Sequence, residues 1–380
     1  MEVEESIKND IVENVREELR NLIHIERKEN RTRTLNKSRV TLGNIVTNSS
    51  FTTEFVVEKA RILKKKPLSI EEYKQLQNAL IQSEENVNTF LKVDNILFAL
   101  VRDFSGNDPA LQLCAISCSC NIALGNAKAC TSLTKSIGPY LITKLDTLNY
   151  PLLDVCIWTI GNLIAGSDKT FEILNAQGCL KYLISLMQNC DYVIIPSVTY
   201  ATMHYVHVGF QNISENEMTD LAKATAKRKL SFETPYYIWL LALLSSHVSC
   251  IPYLHDLLPS IADYLYQRAV QNFTRITEIT ACIRVLANAA QDISGELTMF
   301  LLENPKYTQL NLETLLNALL SSQYIHIRKE TLWLIGNLYN HNCISVKNIS
   351  QPVISRLSSL EQAIMSVSES TMFLNAKPIN

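Results

Sequence analysis

Four stretches of the chain share one pattern of apolar and polar positions. In each, small and apolar residues recur with helical spacing and lead to an asparagine that is followed by another apolar residue. A helix that is apolar on most of its surface has to be covered by neighbours, so the pattern predicts helices packed on one another. The stretches are CAISCSCNIALGNA (114–127), CIWTIGNLIAGSD (156–168), ACIRVLANAAQD (281–292) and TLWLIGNLYNHN (331–342).

The spacing of the four asparagines indicates an internal repeat. The first two are 41 residues apart, the second and third are 126 apart, or three times 42, and the last two are 49 apart. A period near 42 leaves room for two degenerate repeats in the middle of the chain. In these repeats His204 and Leu243 take the place of the asparagine. Helical repeats of this length are typical of the armadillo and HEAT classes.

Helix signals within one repeat favour the armadillo class. Residues 131–168 predict a short helix around Ser132–Ile137, a second helix Pro139–Leu148 and a third helix Leu152–Ala165. Pro151 opens the third helix and Gly166 ends it, as proline and glycine commonly do. Three helices per repeat, with the last one longest, are expected of armadillo repeats.

The predicted fold is therefore all-α, an armadillo-repeat right-handed superhelical solenoid with a flexible N-terminal helical arm. We expect a basic arm at residues 1–45, a linker at 46–68 and a repeat domain at 69–380. The repeat domain holds about six repeats, with partial units at 69–105 and 345–374.

Composition narrows the possible functions. Ten glycines and 11 prolines in 380 residues are too few for the tight turns of an all-β domain. A net charge of −2 argues against direct binding of nucleic acid. The sequence lacks phosphate-loop, dinucleotide-binding and nucleophile-elbow motifs, so we predict no enzyme activity and no cofactor.

The distribution of charged and apolar residues predicts the compartment. The first 20 residues are charged rather than apolar, and no run of 18 apolar residues occurs. We therefore expect no secretion signal, no membrane span, and a location in the cytoplasm and nucleus. The ten cysteines should then be reduced, and without a C-x-x-C pair we predict packing thiols and no metal site.

Two of the asparagines lie in a motif that carries a family resemblance. The motif W-x-x-G-N occurs at Trp158–Asn162 and Trp333–Asn337 and resembles the third helices of importin alpha, the adaptor that binds nuclear localisation signals. Arg284 before Asn288 resembles a later repeat of that family in which arginine replaces tryptophan. The stretch DVCIWTIGNLI (154–164) is also similar to the divergent, importin-alpha-related transmembrane and coiled-coil domain-containing family.

The resemblance implies a groove that binds basic peptides. An asparagine amide donates and accepts, so it can hold a peptide backbone of any sequence, and neighbouring indole rings form slots for lysine or arginine. With stacked helices about 8–10 Å apart and about 3.3 Å per extended residue, about three peptide residues should pass each repeat. The predicted groove residues are Asn121, Asp154, Trp158, Asn162, Arg284, Asn288, Trp333 and Asn337.

The same residues also have a purely structural interpretation. Each asparagine can bond a neighbouring backbone, and each tryptophan can pack in the core. Arg284 can repel a basic peptide rather than bind one. Trp239 lacks the accompanying asparagine and is predicted to be core, and Asn121 lacks the accompanying tryptophan because Ser117 takes that position.

The N-terminal arm resembles the importin-beta-binding segment of the same family. Residues 16–39 carry eight basic side chains against four glutamates. The resemblance implies a helix that docks on an importin-beta-type carrier, or a segment that folds back into its own groove and is released by the carrier. The alternative is a charged, frayed helix without a partner. The predicted carrier-binding residues are Arg16, Arg20, Arg27, Lys28, Arg31, Arg33, Lys37 and Arg39.

Three functions remain open at this point, but the sequence offers no positive feature for one of them, a microtubule- or membrane-associated scaffold. Two functions are left to weigh. One is a nuclear import adaptor that binds basic cargo in its groove and the carrier through its arm. The other is an armadillo scaffold, or a dedicated chaperone for one basic client, that binds no carrier. The short array and the two lost asparagines favour the second function, and the basic arm favours the first.

Overall fold

The computed structural model describes residues 39–43, 51–228, 232, 235–271, 273–303 and 309–375. Within these ranges every regular element is a helix, which confirms the all-α prediction. The chain forms two compact units, unit 1 at Met1–Cys179 and unit 2 at Leu180–Asn380.

The described residues of unit 1 form eight α-helices and one 3-10 turn at Lys144–Asp146. The helices are α1 (Thr53–Lys65), α2 (Ile70–Gln82), α3 (Glu84–Leu91), α4 (Ile96–Ser105), α5 (Pro109–Ile122), α6 (Ala127–Thr143), α7 (Tyr150–Gly166) and α8 (Asp168–Ala176). A further helix, α9 (Cys179–Asn189), begins at the last residue of this unit.

Unit 2 continues the helical pattern with short 3-10 turns at Tyr192–Ile194, Val248–Cys250 and His255–Leu257 and a π-turn at Gln267–Gln271. Its helices are α10 (Ile195–Gly209), α11 (Glu215–Ala226), α12 (Pro235–Leu244), α13 (Ile251–Leu254), α14 (Leu258–Tyr266), α15 (Ile276–Ala289), α16 (Glu296–Leu302), α17 (Gln309–Leu320), α18 (Ile325–Tyr339), α19 (Ile344–Ile354) and α20 (Leu360–Asn375).

The third helices of successive repeats pack on one another within each unit. In unit 1, α2 packs on α5 and α5 packs on α7. In unit 2, α10 packs on α12, α12 on α15, and α15 on α18. A helix in such a stack is covered on two sides, and α12 is accordingly buried at every position from Tyr237 to Leu244. The repeats found in the sequence therefore correspond to successive third helices of this stack.

Capping side chains and prolines determine where the helices of the predicted groove begin. Asp108 caps α5 through its side-chain oxygen, and Pro109 lies in the first turn of that helix. Asn149 caps α7 in the same way, with Pro151 in the first turn. The predicted third helix, Leu152–Ala165, agrees with α7 to within two residues at each end.

The prediction of two separate helices at Ser132–Ile137 and Pro139–Leu148 is wrong. The structure has one helix, α6, with Pro139 inside it. A proline removes one helical hydrogen bond, but Ile137 and Leu141 on either side are fully buried. Burial of these apolar side chains holds the helix together across the proline.

The predicted linker at residues 46–68 contains a packed helix, α1. Its buried side chains are Val56, Ala60 and Leu63, a spacing of four and then three that forms one helical face. Thr52 caps its start with a side-chain hydrogen bond from the backbone N–H of Phe55. Among the described residues, the packed helices therefore start at residue 53, ahead of the predicted start of the repeat domain at residue 69.

One helical pair has a membrane-like composition. Among the described residues, no single helix combines the length and the apolar character of a membrane span. The stretches Pro235–Leu244 and Val248–Val270 meet that criterion only when taken together, and they are bent by 114° at the break between them.

Candidate peptide-binding groove

Asn121 and Asn162 occupy equivalent places on the consecutive helices α5 and α7, and both are fully buried. Asn121 Nδ2 donates to the carbonyl of Gln77 on α2 at 2.9 Å. Asn162 Nδ2 donates to the carbonyl of Cys120 on α5 at 3.2 Å. Each side-chain amide thus bonds the third helix of the preceding repeat. Cys120 directly precedes Asn121, so one repeat is locked to the next in a fixed register.

The same bond recurs in unit 2. Asn288 Nδ2 donates to the carbonyl of Ala242 at 3.4 Å, and Asn337 Nδ2 donates to that of Ala287 at 2.7 Å. Each acceptor again directly precedes the equivalent position of the preceding repeat, which is Leu243 in the first case. We refer to these equivalent positions as the asparagine array. In both units the asparagines therefore bond the backbone of a neighbouring helix, as the structural interpretation of the sequence predicts.

In unit 1 the array also holds a segment of the chain itself. The backbone N–H of Val40 donates to Asn162 Oδ1 at 2.9 Å, and Asn162 Nδ2 donates to the Val40 carbonyl at 2.7 Å. Leu42 makes the same pair of bonds with Asn121, at 2.9 and 2.7 Å. Residues 39–43 are called the docked segment below.

This geometry is that of an extended peptide bound through its backbone. In an extended chain the N–H and the C=O of one residue point to the same side, and the residue two positions on points to that side again. Thr41 lies between the two bound residues, and its side chain is exposed. Because both bonds at each asparagine go to main-chain atoms, the array itself is indifferent to side-chain identity.

The docked segment runs opposite to the order of the repeats and advances two residues per repeat. Val40 lies at the later repeat and Leu42 at the earlier one. The expectation of about three peptide residues per repeat is wrong for this pair. That estimate used the spacing of helix axes, whereas the peptide follows the ends of the asparagine side chains.

A third array position in unit 1 escaped the sequence analysis. Asn78 on α2 is 43 residues before Asn121 and directly follows Gln77, whose carbonyl accepts from Asn121. Its side chain lies beside Gly43, and a Cβ on that glycine would be 2.5 Å from Asn78 Oδ1. Asn78 was missed because it lies in the stretch 69–105, which the sequence analysis assigned only to a partial unit, and it also lacks the tryptophan and the glycine of the motif. The 43-residue spacing is the signal that identifies it.

Arg39 lies at the start of the docked segment and is held by the C-terminal end of α5. Its Nη1 donates to the carbonyls of Ala123 and Gly125, both at 3.0 Å. A cation is favoured here because unpaired carbonyls give the end of a helix a partial negative charge. Arg39 was predicted as a residue of the carrier-binding arm, and in this structure it lies in the groove, as the fold-back alternative for that arm expects. Its contact with a carrier stays a prediction. The other predicted arm residues, Arg16, Arg20, Arg27, Lys28, Arg31, Arg33 and Lys37, lie outside the described residues.

A neutral thiol completes the groove next to Val40. Asn162 Nδ2 lies 3.3 Å from Cys120 Sγ, which in turn is 4.0 Å from the Val40 carbonyl. Burial raises the pKa of Cys120 to about 12, so the thiol carries no charge at neutral pH. Burial likewise raises the pKa of Cys118 and Cys282, as expected of packing thiols.

Trp158 and Asp154 form a pair on α7. The indole Nε1 donates to Asp154 Oδ2 at 3.1 Å, and both residues are half-buried. The hydrogen bond fixes the ring against its own helix, one turn before Asn162. It also places a carboxylate oxygen beside the ring, the combination of acidic and aromatic groups that attracts a basic side chain.

In unit 2, Arg284 is paired within the protein. Its Nε donates to Glu330 Oε2 at 3.3 Å, and its Nη2 makes a second bond to Oε1 of the same carboxylate. The guanidinium also lies 5.3 Å from the ring centre of Trp239, which is buried as predicted. Arg284 was predicted to contact a peptide. The structure instead uses it to connect α12, α15 and α18.

The remaining predicted residues of unit 2 stay accessible. Asn288, Trp333 and Asn337 are all half-buried. The hydrogen bonds described for Asn288 and Asn337 are all donated by the amide nitrogen. The bonds from Asn121 and Asn162 to the neighbouring helix in unit 1 are donated in the same way. The degenerate positions differ, because His204 and Leu243 are almost fully buried. No three His, Cys, Asp or Glu side chains cluster as a metal site among the residues described.

Comparison with known proteins supports the fold. No protein-family model matches the chain. An engineered protein of known crystal structure is similar at 16% identity with a TM-score of 0.59, over 90% of this chain and 87% of that one. A designed armadillo repeat protein is similar at 16% identity with a TM-score of 0.43, over 74% and 99%. Another, in complex with the peptide (KR)4, has 15% identity and a TM-score of 0.40, over 80% and 99%.

These similarities bear on the fold alone. The first match covers both chains almost completely, whereas the TM-scores of the other two are too low to support an inference. Together with the stacked third helices, the first match supports an all-α fold of stacked helical repeats.

Proposed function

We propose that this chain is a protein-interaction adaptor that binds extended, basic segments of other proteins along its asparagine array. The observation that carries the proposal is the pair of two-bond contacts that Asn121 and Asn162 make with an extended segment. The asparagine contacts bond main-chain atoms only, so they can hold the backbone of another extended peptide in the same place. The docked segment is the part of this chain that a cargo segment replaces.

A basic cargo fits the side chains around the array. The docked segment itself presents Arg39, whose guanidinium is held by two helix-end carbonyls. Asp154 and Trp158 add a carboxylate and an indole ring on the same helix as Asn162. Both features favour a positive charge on the bound peptide.

At the finer level, we propose a nuclear import adaptor that shuttles between cytoplasm and nucleus. An importin-beta-type carrier binds the arm at residues 16–39 and withdraws the docked segment from the groove, which frees the array for cargo. The resemblance of residues 16–39 to an importin-beta-binding segment supports this role. So does the presence of Arg39 at the junction of arm and groove.

The test is carrier binding by the full chain. We expect an importin-beta-type carrier to bind it and to raise its affinity for a labelled Lys/Arg-rich peptide. Changing Arg27, Lys28 and Arg31 together to Ala should abolish both effects. The matched control changes the exposed run 64–66 (KKK) to Ala, which removes the same charge outside the arm and should leave both effects intact.

The second candidate function is a scaffold or dedicated chaperone for a basic client. The buried His204 and Leu243 favour it, because they leave two repeat positions of unit 2 without an asparagine. A scaffold binds basic peptides through Asn121 and Asn162 but ignores the carrier. Peptide binding without carrier binding, at low and physiological salt, would therefore reject the import role and support this one.

A further inference from the structure

The docked segment reports which side chains the groove of unit 1 selects at its two ends. The asparagine array reads only main-chain atoms at Val40 and Leu42, and the exposed Thr41 contributes no selectivity. The residues left to determine selectivity are Arg39 and Gly43. Arg39 meets carbonyls that favour a positively charged donor, and Gly43 has a backbone angle that residues with a Cβ rarely adopt.

Arg39 occupies a built subsite at one end. The subsite consists of the carbonyls of Ala123 and Gly125, the thiol of Cys130, and Gly166 at the end of α7. The thiol of Cys130 lies 3.4 and 3.7 Å from the same two carbonyls that accept from Arg39 Nη1. A Cβ on Gly166 would be 3.1 Å from that Nη1 and 2.4 Å from Cys130 Sγ. Because Gly166 has no side chain, the guanidinium of Arg39 and the thiol of Cys130 can occupy this space.

Cys130 is neutral in this subsite. Burial raises its pKa to about 11, while the nearby Arg39 guanidinium acts in the opposite direction. The subsite thus offers carbonyl dipoles and no anion. Main-chain carbonyls accept hydrogen bonds but cannot donate, so a donor with a positive charge is the side chain that satisfies them.

Gly43 meets the opposite end of the segment. Its φ angle is +125°, a backbone conformation that residues with a Cβ rarely adopt. A Cβ there would also lie 2.5 Å from Asn78 Oδ1. Asn78 can shift its side chain, but the backbone angle remains strained for any other residue. The chain turns here as it passes the third array position.

From these contacts we propose that the groove of unit 1 selects segments with an arginine followed four residues later by a glycine, bound in the reverse direction to the repeats. This inference rests on the proposed function and names its ligand class, Arg-x-x-x-Gly. Lysine-rich clusters without the glycine are then weaker ligands of this unit. The two middle positions, which correspond to Val40 and Leu42, are bound through their backbone.

The experiment uses the full chain with Gly43→Ala, which should release the docked segment. The ligand is a fluorescein-labelled peptide of residues 36–46 (NKSRVTLGNIV), followed by anisotropy. In the peptide, Arg39→Ala and Gly43→Ala should each weaken binding at least about tenfold, because one loses a charged hydrogen bond and the other strains the backbone. Thr41→Ala in the peptide is the matched control and should bind within about twofold of the parent.

Further variants separate selectivity from the groove itself. Adding Asn121→Ala and Asn162→Ala to the protein should abolish binding of the parent peptide. If the parent binds in this asparagine-dependent way but tolerates Arg39→Ala and Gly43→Ala, the groove function stands and the proposed selectivity is wrong. Equal losses for all three peptide variants would also overturn it.

Amide hydrogen exchange of the protein completes the test. The Val40 and Leu42 amides should exchange freely in the Gly43→Ala chain. If they remain protected, the glycine requirement is wrong, because a residue with a Cβ docks as well. If they exchange freely and no peptide binds, the peptide-binding function itself fails rather than its selectivity.

Discussion

Replacing Glu330 by Gln is expected to destabilise the stack of α12, α15 and α18. The side chains of Arg284 and Glu330 are only 12% and 6% exposed. The variant keeps the shape of the glutamate and an acceptor oxygen, but it leaves the guanidinium charge without its counter-ion. Trp239, 5.3 Å away, offers only the weaker attraction of its ring.

The expected magnitude follows from burial. Breaking a buried ion pair by removing one partner costs about 3–5 kcal/mol, since the remaining charge is left desolvated. Glutamine keeps a hydrogen bond, so we expect about 3 kcal/mol, the low end of that range. Glu313 and Arg356 provide the matched control, with side chains 26% and 49% exposed and a distance of 3.0 Å. Glu313→Gln should cost about 1 kcal/mol or less.

The assay is amide hydrogen exchange followed by mass spectrometry. Peptides from α15 and α18 report the free energy of opening of this stack in unit 2, without assuming that the whole chain unfolds in one step. Adding Arg284→Met to Glu330→Gln should recover most of the loss, because it removes the unpaired charge. Equal small losses for the Glu330 and Glu313 variants, or no recovery with Met, would refute the reasoning.

Two further outcomes follow from particular residues of each unit. Gly166→Ala should lower the free energy of unfolding by about 1–3 kcal/mol, since the added Cβ would lie 2.4 Å from Cys130 Sγ. Gly336→Ala should raise it by about 0.5–1 kcal/mol, since this glycine lies inside a helix and a Cβ there would meet nothing within 4 Å. Urea titration measures both changes in the free energy of unfolding, and changes of the same sign in the two variants would contradict the packing argument. The N-cap backbone N–H and Lys59 lower the pKa of Glu72 to about 2. The stabilising contribution of Glu72 should therefore be present above pH 4.5 and be lost as the pH falls toward 2, and a Glu72→Gln chain that loses stability just as steeply in that window would refute this.

The stacked helices could be predicted from the sequence because their signal is periodic. Asn121 and Asn162 recur with the repeat, and the apolar residues before them require cover on two sides. Helix α1 was missed because it precedes the first recognisable repeat. Its 56, 60, 63 spacing is a helical signal that the basic residues around it obscured.

The contacts between repeats could not be predicted in the same way. Arg284 and Glu330 are 46 residues apart, and their pairing depends on the side-chain directions of two packed helices. The docked segment was predicted only as an alternative to a helical arm. Its sequence, with β-branched Val40 and Thr41 followed closely by Gly43, favours an extended backbone over a helix. The basic composition of the arm outweighed that local signal.

The asparagine array of unit 1 holds an extended segment of the chain through its backbone atoms. Residue-resolved amide hydrogen exchange of the unmodified full chain tests it most directly. The amides of Val40 and Leu42, which donate to Asn162 and Asn121, should exchange at least about tenfold more slowly than that of Thr41. Equally fast exchange at all three positions, or an unchanged pattern in an Asn121→Ala, Asn162→Ala chain, would contradict it.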